Sequence, residues 1–246
     1  MTILVTRPEP SASALVARLR QTGKHAWSLP LIDYTPGRGL GSLAQQLLSL
    51  HNGDLLFAVS HQAIRFAAPA IVQSNTAWPA GLDYYAIGRR TALDLHQASL
   101  QRVNYPEGRA TSETLLNLPS LRELSGRRAL ILRGNGGRDL LADTLQQRGA
   151  QVELCECYQR IACQYRGAEE AVRWRRQGIT TLVVTSGEML QLLYSLFPAI
   201  DRREWLLHCR LVVVSERLAT LASELGWHSV TVADGADNDA LLRALH

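Results

Sequence analysis

The sequence predicts an α/β fold of two similar parallel-sheet lobes, and three observations predict it. One βα unit is used twice at a near-constant offset, which is the signature of a repeated structural unit. Short apolar runs alternate with segments whose apolar residues are spaced by three and four, as in βαβ units. The central runs are apolar without interruption, as parallel strands covered on both faces are.

The offset is tight. Arg7, Leu15, Leu19, Gly23 and Ser60 recur 126 positions on as Arg133, Leu141, Leu145, Gly149 and Ser186. Arg90, Ala92 and Val103 recur after 127 positions as Arg217, Ala219 and Val230, and Leu115-Leu116 recur after 126 as Leu241-Leu242. One single-residue insertion covers the whole comparison.

The elements follow in order. Residues 3–6 and 129–132 are apolar strands ended by an arginine and a Pro or Gly turn, each followed by a helical pattern that closes on Gly23 or Gly149. Glycine there stops a helix because it adopts the left-handed conformation at little cost. Residues 152–157 form a further strand, and residues 55–59 and 182–185 are central strands ending in a serine, the preferred residue for capping the helix that follows. Residues 84–87 and 211–214 are third strands; residues 102–105 and 229–232 are short ones, each leading to a last helix near Leu115 or Leu241. The stretches 34–40, with Pro36, Gly37 and Gly39, and 159–166 lack this periodicity and read as connectors at equivalent places in the two copies. Periodicity alone leaves open whether each lobe is one contiguous copy or an exchange of halves.

At 246 residues with 46% apolar composition the chain can bury a sizeable core. Met1–Val5 enters a strand directly, without a basic stretch or cleavage signal, and no run approaches the roughly 18 apolar residues of a membrane span, which predicts a cytoplasmic protein that does not engage membranes. Cys155, Cys157, Cys163 and Cys209 show no C-x-x-C pairing and the seven histidines no ligand spacing, so no metal site is expected. The net charge of +4 comes mainly from arginine, suited to bidentate capture of carboxylate or phosphate. The arginines form no basic tract and lack interleaved aromatics, which argues against a nucleic-acid groove.

Ligands of open parallel sheets bind beyond the carboxyl ends of the strands, where helix N-terminal amides are unpaired. Thr6, Arg7, Ser60, Thr91, Arg133, Arg138, Ser186 and Arg217 stand there, in segments that also carry Gly88, Gly134 and Gly187, and hydroxyls, glycines and arginines dominate these segments, as capture of an anionic small molecule requires. Gly134-Asn135-Gly136-Gly137 is no dinucleotide fingerprint, because the third glycine falls on Asp139; it is a tight turn or an anion-binding loop. Ser60-His61 lacks the nucleophile-elbow glycines of a hydrolase. Tyr158 closes the strand 152–157 at the start of a connector.

Several blocks, weak singly but ordered along nearly the whole chain, carry a family resemblance. They are Ile3-Leu4-Val5-Thr6-Arg7-Pro8, Ala86-Ile87-Gly88-Arg89-Arg90-Thr91-Ala92, Leu130-Ile131-Leu132-Arg133-Gly134-Asn135-Gly136-Gly137-Arg138, Glu156-Cys157-Tyr158-Gln159, Val184-Thr185-Ser186-Gly187 and Ala236-Asp237-Asn238-Asp239-Ala240-Leu241-Leu242. Together they resemble the uroporphyrinogen-III synthases of the enterobacterial kind. The resemblance implies cyclisation of hydroxymethylbilane, an octacarboxylate, with loss of water and inversion of the terminal pyrrole ring, and it implies no cofactor and no metal.

It further implies two flavodoxin-like lobes with exchanged halves, residues 1–34 plus 174–246 and residues 53–159, joined by a two-stranded connector over 35–52 and 160–173. A monomer is expected, with at most a transient contact with the enzyme that makes the bilane. The family's tyrosine falls on Tyr158 as proton donor, and Ser60, Thr91 and Ser186 fall on positions that contact substrate; Arg7, Arg133 and Arg138 are the expected carboxylate partners. Ser215 and Leu218 stand where the family often repeats Gly and Thr, so the Thr91 hydroxyl has no counterpart and Arg217 is the compensating candidate. The competing reading is a non-catalytic two-lobed sensor that closes on an anionic metabolite.

Overall fold

The computed structural model describes residues Met1–His246, and the chain divides into two compact units, Met1–Asp33 with Ile161–His246 and Tyr34–Arg160. The elements are β1 (Thr2–Val5), α1 (Ser11–Gln21), β2 (His25–Ser28), β3 (Ile32–Pro36), α2 (Leu40–Leu48), β4 (Leu55–Ala58), α3 (His61–Gln73), β5 (Asp83–Ala86), α4 (Arg89–Ser99), β6 (Val103–Asn104) and α5 (Ser112–Leu116). They continue as β7 (Arg128–Gly134), α6 (Leu140–Gln147), β8 (Gln151–Ala162), α7 (Gly167–Arg176), β9 (Thr181–Val183), α8 (Gly187–Leu196), α9 (Ala199–Glu204), β10 (Arg210–Val213), α10 (Glu216–Glu224), β11 (Val230–Val232) and α11 (Asn238–Ala244).

In the first unit the sheet order is β11-β10-β9-β1-β2, with every neighbouring pair parallel. The second sheet runs β3-β8-β7-β4-β5-β6, parallel from β8 to β6. Side chains alternate between the faces of each strand, so each sheet feeds two cores. On the first sheet Leu4, Leu182, Val184 and Leu211 pack with Trp174 and Trp227, while Ile3, Val5, Val183 and Val212 meet α1 through Leu15 and Leu19. On the second, Leu56, Ala58, Tyr84, Leu130 and Leu132 face α2 and α3, and Leu55, Phe57, Tyr85, Ala129 and Ile131 face α6.

Gly23 and Gly149 end α1 and α6 at φ of +78° and +95°, the left-handed region expected of them. The stretches read as connectors contain regular structure. Residues Ile32–Pro36 are strand β3, and β8 continues through Gln159 to Ala162. Within 35–52, Leu43 and Leu47 of α2 are fully buried in the core under β4 and β7, worth roughly 1.5–3 kcal/mol each. Within 160–173, Ala171 of α7 lies in the core of the first unit.

Gly37 and Gly39 are a matter of space rather than of turning. Their amides donate to the Cys157 and Glu156 carbonyls at 2.9 and 3.0 Å, and a Cβ on either would stand within 2.6 Å of β8 backbone. No helix is long and apolar enough to cross a membrane.

Candidate functional site

Because the β8-to-β6 strands of the second unit are parallel, their carboxyl ends share one edge, and Ser60, Gly88 and the 134–139 loop stand on it. Ser60 is the N-cap of α3: its hydroxyl oxygen accepts from the Ala63 amide at 3.2 Å. The same hydroxyl donates to the phenolic oxygen of Tyr158 at 3.2 Å. Two residues 98 apart in sequence are thus brought into direct contact.

The Tyr158 ring is fixed on several sides. It stacks with Phe66 of α3 at 6.2 Å between centroids and meets Tyr34 of β3 edge-on at 5.5 Å. Gly134 lies under its tip. Neither aromatic neighbour was singled out in the sequence, since their partners lie far along the chain.

Thr91 is the third residue of α4 and is buried. Gly88, the N-cap of α4, has no side chain to cap with; in the first unit Ser215 caps α10, accepting from the Leu218 amide at 3.3 Å, and Leu218 is buried. The hydroxyl thus stands at the third helical position in α4 and at the cap in α10.

The arginines are largely engaged by their own surroundings. Arg133 donates to Asp139 at 2.7 Å and to the carbonyls of Gly136 and Gly137 at 3.1 and 3.3 Å, closing its loop on itself. Arg138 is exposed and forms a forked pair with Glu113 at 2.6 and 3.4 Å.

In the first unit Arg7 donates to Asn238 at 2.8 Å; burial pushes its guanidinium below the ordinary value, opposed by Asp237. Thr6 is a correction to the expected contact set. It is fully buried and its hydroxyl donates to the Val183 carbonyl at 2.9 Å, so it ties β1 to β9 and presents no surface to a ligand. Ser186 caps α8 by accepting from the Met189 amide at 3.2 Å. Arg217 is exposed and borders a shallow groove of about 320 Å³ with Gly187, Thr220, Leu221 and Glu224.

His61 follows Ser60 and was set aside with the hydrolase reading. Burial first, then the Arg90 and Arg65 guanidinium groups, hold its imidazole below the ordinary histidine value, opposed by Asp94. This cationic field at the start of α3 and α4 was only half legible: Arg65 lies one turn along α3 from His61, whereas Arg90 of α4 joins it only through packing. No group of three or more His, Cys, Asp and Glu side chains is placed to hold a metal ion.

A family model described as "HEM4: Uroporphyrinogen-III synthase HemD" matches residues 13–243. The uroporphyrinogen-III synthase of Escherichia coli (strain K12) is 59% identical over 245 residues, covering 100% of both chains. That of Salmonella typhimurium (strain LT2) is 58% identical over the same span and coverage, and that of Proteus mirabilis 45% over 195 residues, 79% of this chain and 98% of its own. Two solved structures share the fold. A mutant uroporphyrinogen III synthase from the extremely thermophilic bacterium Thermus thermophilus has a TM-score of 0.59 at 19% identity, covering 100% of this chain and 98% of its own. The uroporphyrinogen-III synthetase of Helicobacter pylori 26695 has a TM-score of 0.60 at 15% identity, covering 98% and 96%.

Proposed function

The chain belongs to the uroporphyrinogen-III synthase family, and from that premise we propose how its residues cyclise hydroxymethylbilane to uroporphyrinogen III, with loss of water and inversion of the terminal pyrrole ring. The bilane also closes unaided to the isomer with that ring unturned. An enzyme must therefore hold one folded conformation of the substrate and speed departure of its hydroxyl, which is catalysis by orientation with help from a proton donor.

Tyr158 is that donor. The observation that carries the assignment is the 3.2 Å contact between the Ser60 hydroxyl and the phenolic oxygen: with the Ser60 proton turned to that oxygen, the phenolic proton is left to be given to the leaving hydroxyl. The same bond then stabilises the phenolate that results. Loss of water leaves an azafulvene cation; attack by the substituted carbon of the last pyrrole gives a spiro intermediate that fragments and recloses with that ring turned.

Substrate carboxylates are met at the carboxyl ends of parallel strands. Amides and hydroxyls at the starts of helices α3, α4 and α8 contribute, through Ser60, Thr91 and Ser186, together with Arg7, Arg133, Arg138 and Arg217. Arg7, Arg133 and Arg138 would exchange present partners for substrate carboxylates. Thr6 holds the β1 end that carries Arg7.

The same reading treats the two units as flavodoxin-like lobes that exchange halves of a duplicated unit, joined through the β3 and β8 strands. The order β2-β1-β9-β10-β11 supports it, since it is the 2-1-3-4-5 order of that fold, and β8-β7-β4-β5-β6 repeats it. Incubation with freshly made hydroxymethylbilane tests the activity: uroporphyrinogen III is expected, and isomer I alone would overturn it.

A further inference from the structure

Along β8 the side chains should alternate, so Cys157 facing the core would send Tyr158 to the opposite face. It does not go there. Cys155 and Cys157 are buried in the core under β4 and β7, and Tyr158 packs on that same core. The cause is a register shift: Arg133 pairs with Glu156, but the next residue of β7, Gly134, pairs with Tyr158. Cys157 is thus an extra residue, a β-bulge, and a bulge re-aims the side chain that follows it.

Two residues of the 134–137 run hold this arrangement. A Cβ on Gly134 would stand 2.6 Å from Cζ, 2.7 Å from Cε2 and 2.9 Å from the phenolic oxygen of Tyr158, so the glycine is there to give the ring tip its seat. Asn135 pins the strand just past the bulge. Its amide donates to the Tyr158 carbonyl at 3.0 Å, and its side-chain oxygen accepts from the Arg160 amide at 3.0 Å, adding one rung beyond the end of β7.

We propose that Gly134 and Asn135 are positioning residues for the reaction, which set the bulge at Cys157 and so hold the Tyr158 phenol against Ser60. This rests on Tyr158 being the proton donor. The Gly134-Asn135-Gly136-Gly137 run then serves two ends: its first half seats the phenol, and its second half supplies the carbonyls that Arg133 closes.

The test is a double-mutant cycle on kcat for hydroxymethylbilane with Gly134→Ala, Tyr158→Phe and both together. The new methyl meets the far end of the Tyr158 side chain before any backbone atom, so the ring is pushed off its contacts with Phe66, Tyr34 and Ser60. A displacement of about 1 Å is expected to lower kcat by roughly 100-fold with a much smaller change in KM. In the Tyr158→Phe background the same substitution is expected to cost little more, because the phenol it displaces is already gone. Losses that multiply would overturn the proposal, as would a full-rate Gly134→Ala enzyme beside a slow Tyr158→Phe one. A full-rate Tyr158→Phe enzyme instead overturns the proton-donor reading itself.

Asn135→Ala, which adds no atom, covers the case in which Gly134→Ala does not fold. It is expected to lower kcat, and Asn135→Asp, which keeps the acceptor oxygen, to restore it; equal kcat in wild type and Asn135→Ala would overturn the role of Asn135.

Discussion

The Ser60 hydroxyl bonds in two directions at once, accepting from the Ala63 amide and donating to the Tyr158 phenol, both at 3.2 Å. One side chain therefore starts helix α3 and orients the proton donor. The two duties can be separated. Ser60→Ala is expected to cost about 1 kcal/mol of stability through the lost cap, whereas Ser60→Gly costs only a few tenths. Both are expected to slow turnover alike, and Ser60→Thr to restore it. Urea unfolding read beside initial rates checks this; turnover that tracks stability across the three would confine Ser60 to capping.

Replacing Tyr158 by Phe keeps the contacts with Phe66 and Tyr34 and removes only the hydroxyl. A fall in kcat of roughly 100- to 10,000-fold is expected, the usual worth of general-acid help, with a residual rate from orientation alone. Single-turnover conversion of bilane measures it.

Two arginines should behave differently. Arg138 is exposed beside Glu113, so Arg138→Ala is expected to raise KM more at low than at high ionic strength, as loss of a screened charge does. Arg133 is only 12% exposed and tied to Asp139, Gly136 and Gly137. Its replacement by Ala is expected to cost on the order of 1–3 kcal/mol of stability as well. A ratio of variant to wild-type KM that stays the same at low and high salt would remove these arginines from substrate binding.

The depressed value of His61 has a sign that can be worked out. Its folded form holds a proton less readily than the unfolded chain does, so the unfolded state binds more protons near and below about pH 6.5. Stability from this group is full above that pH and falls as pH drops through it. His61→Gln is expected to narrow the difference in urea midpoint between about pH 8 and about pH 5.5. An unchanged difference would refute the linkage.

Thiol chemistry reports the core. Cys155, Cys157 and Cys209 are buried, and burial pushes Cys209 up to about 12, while Cys163 is partly accessible. A disulfide reagent at neutral pH is expected to modify Cys163 first and the other three only on unfolding. Peptide mapping that finds Cys209 labelled in the native chain would contradict the packing.

The central strands were readable because a strand covered on both faces leaves an unbroken apolar run, as in β4 and β9, every residue of which is buried. Edge strands leave no such mark. In β2 only Ala26 is buried among His25–Ser28, and no strand was expected there. In β3 the following glycines looked like a turn, although they serve close approach to β8. Strand ends located Ser60 correctly at a helix start, whereas Tyr158, read as closing a strand, lies within β8, and their contact was hidden because an extra residue in one strand reverses every inference from alternation. Arg133 shows the limit of residue type: the chemistry that suits it to a carboxylate suits it equally to the two carbonyls of its own loop.

The pairing of β1 with β9 also orders events during synthesis. β1 and β2 leave the ribosome first, but β1 is flanked on its other side by a strand made only after all of Tyr34–Arg160 has emerged. The second unit is one uninterrupted stretch that can complete itself on the nascent chain. The N-terminal βαβ must wait meanwhile with the apolar edge of β1 open, the condition in which strands recruit wrong partners.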